Sequence, residues 1–274
     1  MILIADSGST KTAWTLVENS DKVIKTDGIN PVFMDSGAIE NTLRTQLLPQ
    51  LQQPVTEIYF YGAGCASIEK NNIVKQTLQA VFGDIKIEIA SDLLGAARGL
   101  CGHQSGIACI MGTGSNSCLY DGDNISWNVP ALGFILGDEG SGAVLGKLLM
   151  GNLFKNQLPD AVKQDFEQTY GLTMMDVIEK VYRTPLPNRF LASFGPFISK
   201  HLHVPEIYNM VYGALESFIE RNVKQYPYTE LPVYFTGSIA YYFAAILHQL
   251  ADKHDFTIGR IEKDPLMGLV AFHQ

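Results

Sequence analysis

Two short segments carry most of the chemistry this chain could perform. One is Asp6-Ser7-Gly8-Ser9-Thr10-Lys11-Thr12; the other is Gly112-Thr113-Gly114-Ser115-Asn116-Ser117. In each, a glycine permits tight backbone geometry among small hydroxyl residues, so successive N–H groups and hydroxyls can form a concave anion site. Asp6, closing an apolar run, can hold a magnesium ion directly or through water. A single such segment reads equally well as a polar hairpin turn. Two equivalent ones, paired, could hold the β- and γ-phosphates of one nucleotide. The pattern GxxxxGK[ST] is absent and a strand follows Lys11, so this is not the strand-to-helix phosphate loop.

Two further positions could act with these turns. Phe235-Thr236-Gly237-Ser238 ends an apolar run and starts a helical one. Ligands of α/β folds collect at carboxyl ends of strands, and a glycine there lets a flat ring lie close to the backbone; good helix capping alone would give the same residues. Asp92 follows the apolar run 85–90. Its carboxylate therefore stands at a strand end, where it could take the proton of an acceptor hydroxyl during phosphoryl transfer. As an N-cap for a helix over 93–100 it would serve equally.

The elements that position these residues repeat. Apolar runs at 2–5, 13–17 and 22–26 predict a three-stranded meander. Helical spacing over 38–51 and 72–82 then alternates with strands at 57–61 and 85–90. A second cycle begins near Gly106, with strands at 107–111 and 117–120 around the second turn and a weaker one at 124–127. A helix-rich stretch follows over 141–226, including a helix opened by Pro205. Then come a strand at 232–236, a helix over 240–253, a short strand near 256–258 and a last helix after Pro265. A meander followed by alternating elements gives a mixed sheet flanked by helices. The expectation is thus an α/β chain of two duplicated domains, 1–104 and 105–274, meeting across a cleft, with 264–274 packing back on the first.

Composition narrows the function. The chain has 274 residues, 46% hydrophobic and 18% charged, which is globular. A net charge of -8 argues against nucleic acid or an anionic membrane as partner. It also requires that a bound polyphosphate be neutralised locally, by backbone N–H groups and a divalent cation. The first residues lack the basic lead-in and length of a signal peptide, and no apolar run approaches a membrane span. Cys65, Cys101, Cys109 and Cys118 form no CxxC pair, so neither a zinc ribbon nor a disulfide scaffold is indicated. A cytoplasmic protein is expected.

The GTGSN turn followed by Gly137-Asp138-Glu139-Gly140-Ser141, with the first turn, Ser91-Asp92, Thr236-Gly237-Ser238 and a final Gly268 helix, resembles one ATPase family. That family includes N-acetylglucosamine kinase and the ATPase activators of 2-hydroxyacyl-CoA dehydratases. It lies within the actin, hexokinase and heat-shock-chaperone superfamily of duplicated ribonuclease H-like domains, and the resemblance spans nearly the whole chain. It implies that Gly8, Ser9, Thr10, Thr113 and Gly114 touch ATP phosphates, with Gly112 and Lys11 beside them, and that Gly237 and Ser238 lie against adenosine. It further implies sugar contacts at Asn30, Ser115, Asn116 and Asp138, and catalysis by Asp92. Where animal N-acetylglucosamine kinases carry a tryptophan shortly before GDEGS, this chain has Ala131-Leu132-Gly133. Cys65 and Cys101 do not reproduce the cluster-binding motif of the dehydratase activators.

The expectation is an ATP-dependent sugar kinase using Mg2+, with an amino sugar such as N-acetylglucosamine as substrate and no nucleic-acid or membrane partner; a homodimer is compatible with it. The second reading is an ATP-driven switch that acts on a protein partner without phosphorylating a small molecule.

Overall fold

The computed structural model describes residues 1–8 and 10–274. Its strands are β1 (Ile2–Ser7), β2 (Lys11–Leu16), β3 (Asn19–Asp27), β4 (Glu57–Gly62), β5 (Lys86–Ser91), β6 (Gly106–Met111), β7 (Ser115–Tyr120), β8 (Ile125–Val129), β9 (Val233–Thr236) and β10 (Ile258–Glu262). Helices α1 (Ser36–Thr42), α2 (Ile68–Phe82) and α3 (Asp92–Cys101) fall among the first five strands. After β8 come α4 (Gly133–Leu136), α5 (Gly142–Phe154), α6 (Asp160–Tyr170), α7 (Met174–Tyr182), α8 (Pro187–Ala192), α9 (Gly195–Lys200) and α10 (Pro205–Arg221). Helices α11 (Ser238–Tyr242) and α12 (Ala244–His254) follow β9, and α13 (Leu266–Phe272) closes the chain.

The chain divides into two compact units: residues 1–106 with 120–126 and 264–274, and residues 107–119 with 127–263. In the first, the sheet order is β3-β2-β1-β4-β5. Short turns make β1, β2 and β3 antiparallel, whereas the helical crossovers force β4 and β5 to run parallel to β1. One sheet face buries Leu3, Ala5, Trp14, Ile58 and Phe60 against Ile39, Leu43, Val74 and Leu78. The other buries Ile4, Tyr61 and Ala90 against Leu266, Leu269 and Val270 of α13. Helix α13 lies on α3 through glycines, since a side chain on Gly268 would run into the Gly99 carbonyl.

The second sheet has the order β10-β9-β6-β7-β8, the same topology read from its other edge, with β9 parallel to β6 and β10 parallel to β9. The fold is therefore a duplicated ribonuclease H-like fold of the actin-like ATPase kind. Ile107, Cys109 and Met111 of β6 enter a core completed by Leu145, Leu149, Phe166, Phe197, Leu215 and Phe218 from the inserted helices. All four cysteines are buried and none is in a disulfide. Among the described residues no helix is long and apolar enough to cross a membrane.

Three elements differ from expectation. The helix expected over 38–51 is regular only to Thr42; it widens to a π-turn over Leu43–Leu47 and tightens over Leu48–Gln50, where Pro49 brings no amide to the ladder. The helix expected over 240–253 is two, broken at Phe243, whose ring is buried in the core. The strand expected near 256–258 starts at Ile258, because Phe256 turns into the core instead.

Candidate active site

The first turn joins β1 to β2 and is tied down by its own hydroxyls. Ser7 and Thr12 face each other across the hairpin, with Oγ and Oγ1 2.6 Å apart. Both accept the Ile29 amide, at 3.2 Å each, while Ser7 Oγ donates to the Ile29 carbonyl at 3.0 Å. The Gly28 amide donates to the Thr10 carbonyl at 3.1 Å. These buried hydroxyls thus fasten the exit of β3, and with it Asn30, to the turn. The Gly8 amide is spent on the Lys11 carbonyl at 3.0 Å. Thr10 and Lys11 are exposed, and Ser9 lies outside the described residues.

Asp6 sits at the carboxyl end of β1, opposite Ala13 and Tyr61. Burial, and then the neighbouring charges of Asp92 and Asp264, push its carboxyl up from 3.8 to about 7, with Lys11 pulling the other way. Asp6 offers a hard oxygen donor of the kind a divalent cation takes; among the described residues no group of three or more His, Cys, Asp or Glu side chains is arranged to hold a metal ion. Asp264 was not expected here, because it arrives from the far end of the chain just before α13.

Asp92 is the first residue of α3. The capping duty that a sequence reading could give it belongs to Ser91, whose hydroxyl accepts the Leu94 amide at 3.2 Å. Asp92 Oδ1 accepts the Leu93 amide at 2.9 Å. Burial nonetheless raises its carboxyl above the ordinary range, which favours proton acceptance. Cys65 feels the Asp92 charge, and burial foremost pushes its thiol up to about 12, so it stays protonated. Asn30 is buried, its carboxamide oxygen accepting the Val32 amide at 2.9 Å.

In the second unit the turn between β6 and β7 is bolted to α5. The carbonyls of Gly112 and Thr113 accept the amides of Gly142 and Ala143 at 2.8 and 3.0 Å. The Gly112 amide closes the turn on the Gly114 carbonyl at 2.9 Å. Asp138 packs into the turn: Oδ1 accepts the Ser115 amide at 3.3 Å, and a Cβ on Gly114 would stand 3.0 Å from Oδ2. Asp138 has a left-handed backbone, φ 50°, and burial raises its carboxyl. Ser115 Oγ donates to the Glu139 carbonyl at 2.8 Å, and Glu139 pairs with Arg221 at 2.6 Å. Asn116 Oδ1 is held by the Ser117 amide and by Asn128.

Gly237 joins this group. Its φ is 112°, and a side chain there would run into the Met111 carbonyl, beside the Gly112 amide at 3.1 Å. The third glycine element therefore abuts the second turn, and a Cβ would fill the space between them. Ser238 is exposed at the start of α11. The hydroxyl of buried Thr236 has no hydrogen-bond partner among the described residues. The first unit thus gathers Asp6, Asp92, Asp264, Thr10, Lys11 and Asn30; the second gathers Gly112, Thr113, Gly114, Ser115, Asn116, Asp138 and Gly237.

A protein from Porphyromonas gingivalis described as a candidate N-acetylglucosamine kinase is 47% identical, with TM-score 0.96, matching 100% of this chain and 98% of its own. One from Chromobacterium violaceum, described likewise, is 17% identical with TM-score 0.73 over 100% of this chain and 98% of its own. A ROK family glucokinase from Streptomyces griseus, in complex with glucose and AMPPNP, is 12% identical with TM-score 0.60 over 99% and 97%. The last two likenesses concern the fold. No model of a protein family matches the chain, and no curated protein does.

Proposed function

This chain belongs to the N-acetylglucosamine kinase-like family of actin-like ATPases, and we propose that it transfers the γ-phosphate of ATP to a hydroxyl of an amino sugar such as N-acetylglucosamine. The observation that carries this reading is Asp92: a carboxylate at a strand end, relieved of capping by Ser91, raised by burial, in the same unit as the Asp6 group and Asn30. Asp92 would take the proton as the sugar O–H bond breaks. That oxygen forms the new bond to the γ-phosphorus while the bond to the β-phosphate oxygen breaks, giving a sugar phosphate and ADP.

Asp6, with Asp264 close by, would hold Mg2+ directly or through water; when bound, the ion would offset phosphate charge. Thr10 and Lys11 of the first turn and Gly112, Thr113 and Gly114 of the second would contact the phosphates. Gly237 and Ser238 would lie against the adenosine. Asn30, Ser115, Asn116 and Asp138 would orient the sugar, so that the acceptor hydroxyl is held rather than found by diffusion. Such a reaction belongs in the cytoplasm, where ATP and reduced cysteines coexist.

The test is ADP release measured across hexoses and amino sugars, with Asp92→Asn beside the wild type. The kinase reading expects sugar-dependent ADP release that Asp92→Asn abolishes while nucleotide binding survives. Turnover indifferent to sugar and stimulated by a protein would favour the ATP-driven switch instead.

A further inference from the structure

The hydroxyl of Tyr61 is a meeting point for segments far apart in the chain. It accepts from Arg98 Nη1 of α3 at 3.0 Å and stands 2.8 Å from Nε2 of His273, the residue after α13. Arg98 is itself fixed by Glu88 of β5 at 2.8 Å, and its guanidinium lies 5.1 Å from the centroid of the Phe272 ring. The His273 ring stacks on Tyr59, with centroids 3.8 Å apart. An arginine can only donate, so the Tyr61 proton is left for His273. Burial, foremost, lowers His273 to about 4, which keeps the ring neutral at neutral pH and Nε2 able to accept. Packing asks only for the aromatic ring, which lies among Ile4, Ala90, Leu266 and Leu269; the hydroxyl serves the polar chain.

That chain reaches the three carboxylates from behind. In the sheet Tyr61 lies between Asp6 of β1 and Ala90 of β5. Residues in register share a face, and α3 and α13 cover this one. Helix α3 rests directly on Tyr61: a Cβ on Gly95, within one turn of Asp92, would stand 2.7 Å from the Tyr61 Cβ. Helix α13 rests in turn on α3, with Gly99 closed against Pro265 and Gly268, and Asp264 stands just before it. The charges of Asp92 and Asp264 both reach Asp6. Tyr61 therefore touches the strand beside Asp6, the helix that starts at Asp92 and the residue that ends the segment starting at Asp264. All of these belong to the first unit.

We propose that Tyr61 is a positioning residue: by bridging Arg98 and His273, its hydroxyl fixes the starts of α3 and α13 and so the placement of Asp92 and Asp264 about Asp6. The inference rests on the kinase reading above and adds to it a residue that acts through two helices, without touching substrate. Arg98 lies six residues along α3 from Asp92, about 9 Å, so a tilt released at one end is felt at the other. A misplacement of about 1 Å at a reacting group can cost about a hundredfold in rate.

The test uses the full chain in a coupled ADP-release assay with N-acetylglucosamine, each variant first checked for folding by circular dichroism. Tyr61→Phe keeps the ring and should lower kcat about tenfold or more, with the KM for the sugar and for ATP within about twofold. His273→Ala should do the same, and His273→Gln, which can still accept the hydroxyl proton, should recover most of the loss. The double variant Tyr61→Phe with His273→Ala should be no slower than the slower single one, because both remove one link. An unaltered kcat in both single variants overturns the inference and leaves the kinase reading standing, and so do losses that multiply in the double variant. A rise in both KM values alongside the loss in kcat marks general loosening of the fold and overturns it too. Absence of sugar-dependent ADP release in the wild type, across hexoses and amino sugars, overturns the kinase reading and this inference with it.

Discussion

Asp6 is costly to the folded chain, and its replacement by asparagine should show by how much. Burial and the charges of Asp92 and Asp264 raise its carboxyl from 3.8 to about 7. A rise of about three units corresponds to an upper bound of ~4 kcal/mol, of which relaxation around the buried group and water penetration leave ~2 kcal/mol. The direction follows from which state holds the proton. Between about 4 and about 7 the folded protein keeps the Asp6 proton while the unfolded chain sheds it, so stability falls as pH rises through this window. Above the window the full cost is present, and below it none. Asp6→Asn removes the titration, so the variant should melt at the same temperature as wild type in acid. In mild alkali it should melt ~5 °C higher, at roughly 2–4 °C per kcal/mol for a chain of this size. Thermal unfolding followed by circular dichroism across that range, without nucleotide or metal, is the assay. Added Mg2+ should raise the wild-type midpoint in mild alkali and leave the variant unmoved, while the variant loses kinase turnover. A melting difference independent of pH, or a wild type more stable than the variant in alkali, would refute the carboxylate-crowding argument.

Three other substitutions probe the rest of the site and its support. Gly237→Ala places a side chain against the Met111 carbonyl at positive φ, so it should cost ~2 kcal/mol in urea unfolding and raise the KM for ATP more than that for sugar. Asp138→Asn keeps a residue that tolerates the left-handed backbone. Stability should change by less than ~1 kcal/mol, while losing a charged hydrogen-bond partner should raise the sugar KM ~10-fold or more; an unaltered KM would remove Asp138 from the sugar site. Gly268→Ala drives a methyl group into the Gly99 carbonyl, and separating α13 from α3 should cost ~3 kcal/mol, read as a lowered urea midpoint with Asp6 and Asp92 unmutated.

How much of this was legible depended on whether a residue's signal was local. The sheets were readable because apolar runs such as 2–5 and 107–111 are bounded by turn residues, and the order of elements then dictates which strands run parallel. The break at Phe243 was not readable: Tyr241-Tyr242-Phe243-Ala244-Ala245 contains neither glycine nor proline, and the interruption comes from tertiary burial of one ring. Among the site residues, Asp92 was ambiguous in the sequence because Ser91 and Asp92 are both good caps; only the Ser91–Leu94 hydrogen bond separates their roles. Ser7 and Thr12 looked like parts of an anion site and are instead ties to Ile29. Asp264 and Gly64 act on Asp6 and Asn30 across long stretches of chain, and no local pattern announces such contacts.

Several residues that break local rules stand at the carboxyl ends of strands, while others lie elsewhere, such as Arg98 with its buried Nε, unpartnered among the described residues, and Leu132 and Leu186 with their left-handed backbones. Asp6 follows the buried run of β1, Asp92 follows β5, and Gly112 and Gly237 follow β6 and β9. Asp138 packs on the turn after β6, and Thr236 holds its unpartnered hydroxyl at the end of β9. Along the same strands, residues such as Leu3, Ile4, Ile107 and Phe235 are fully buried and agree with both propensity and packing. If folding alone had shaped this chain, a raised carboxylate and an orphaned hydroxyl would be as frequent mid-strand as at strand ends. Their collection at carboxyl ends, where α/β folds place ligands, is what a binding site leaves in a fold whose strand interiors are mutually consistent. A ligand that relieves these conflicts must bind the folded state alone, so it must also stabilise it. Mg-nucleotide should therefore raise the unfolding temperature of the wild type in mild alkali well above that produced by nucleotide with the metal chelated, and that difference should shrink in Asp6→Asn. An equal shift in both proteins would place the cation elsewhere than on Asp6.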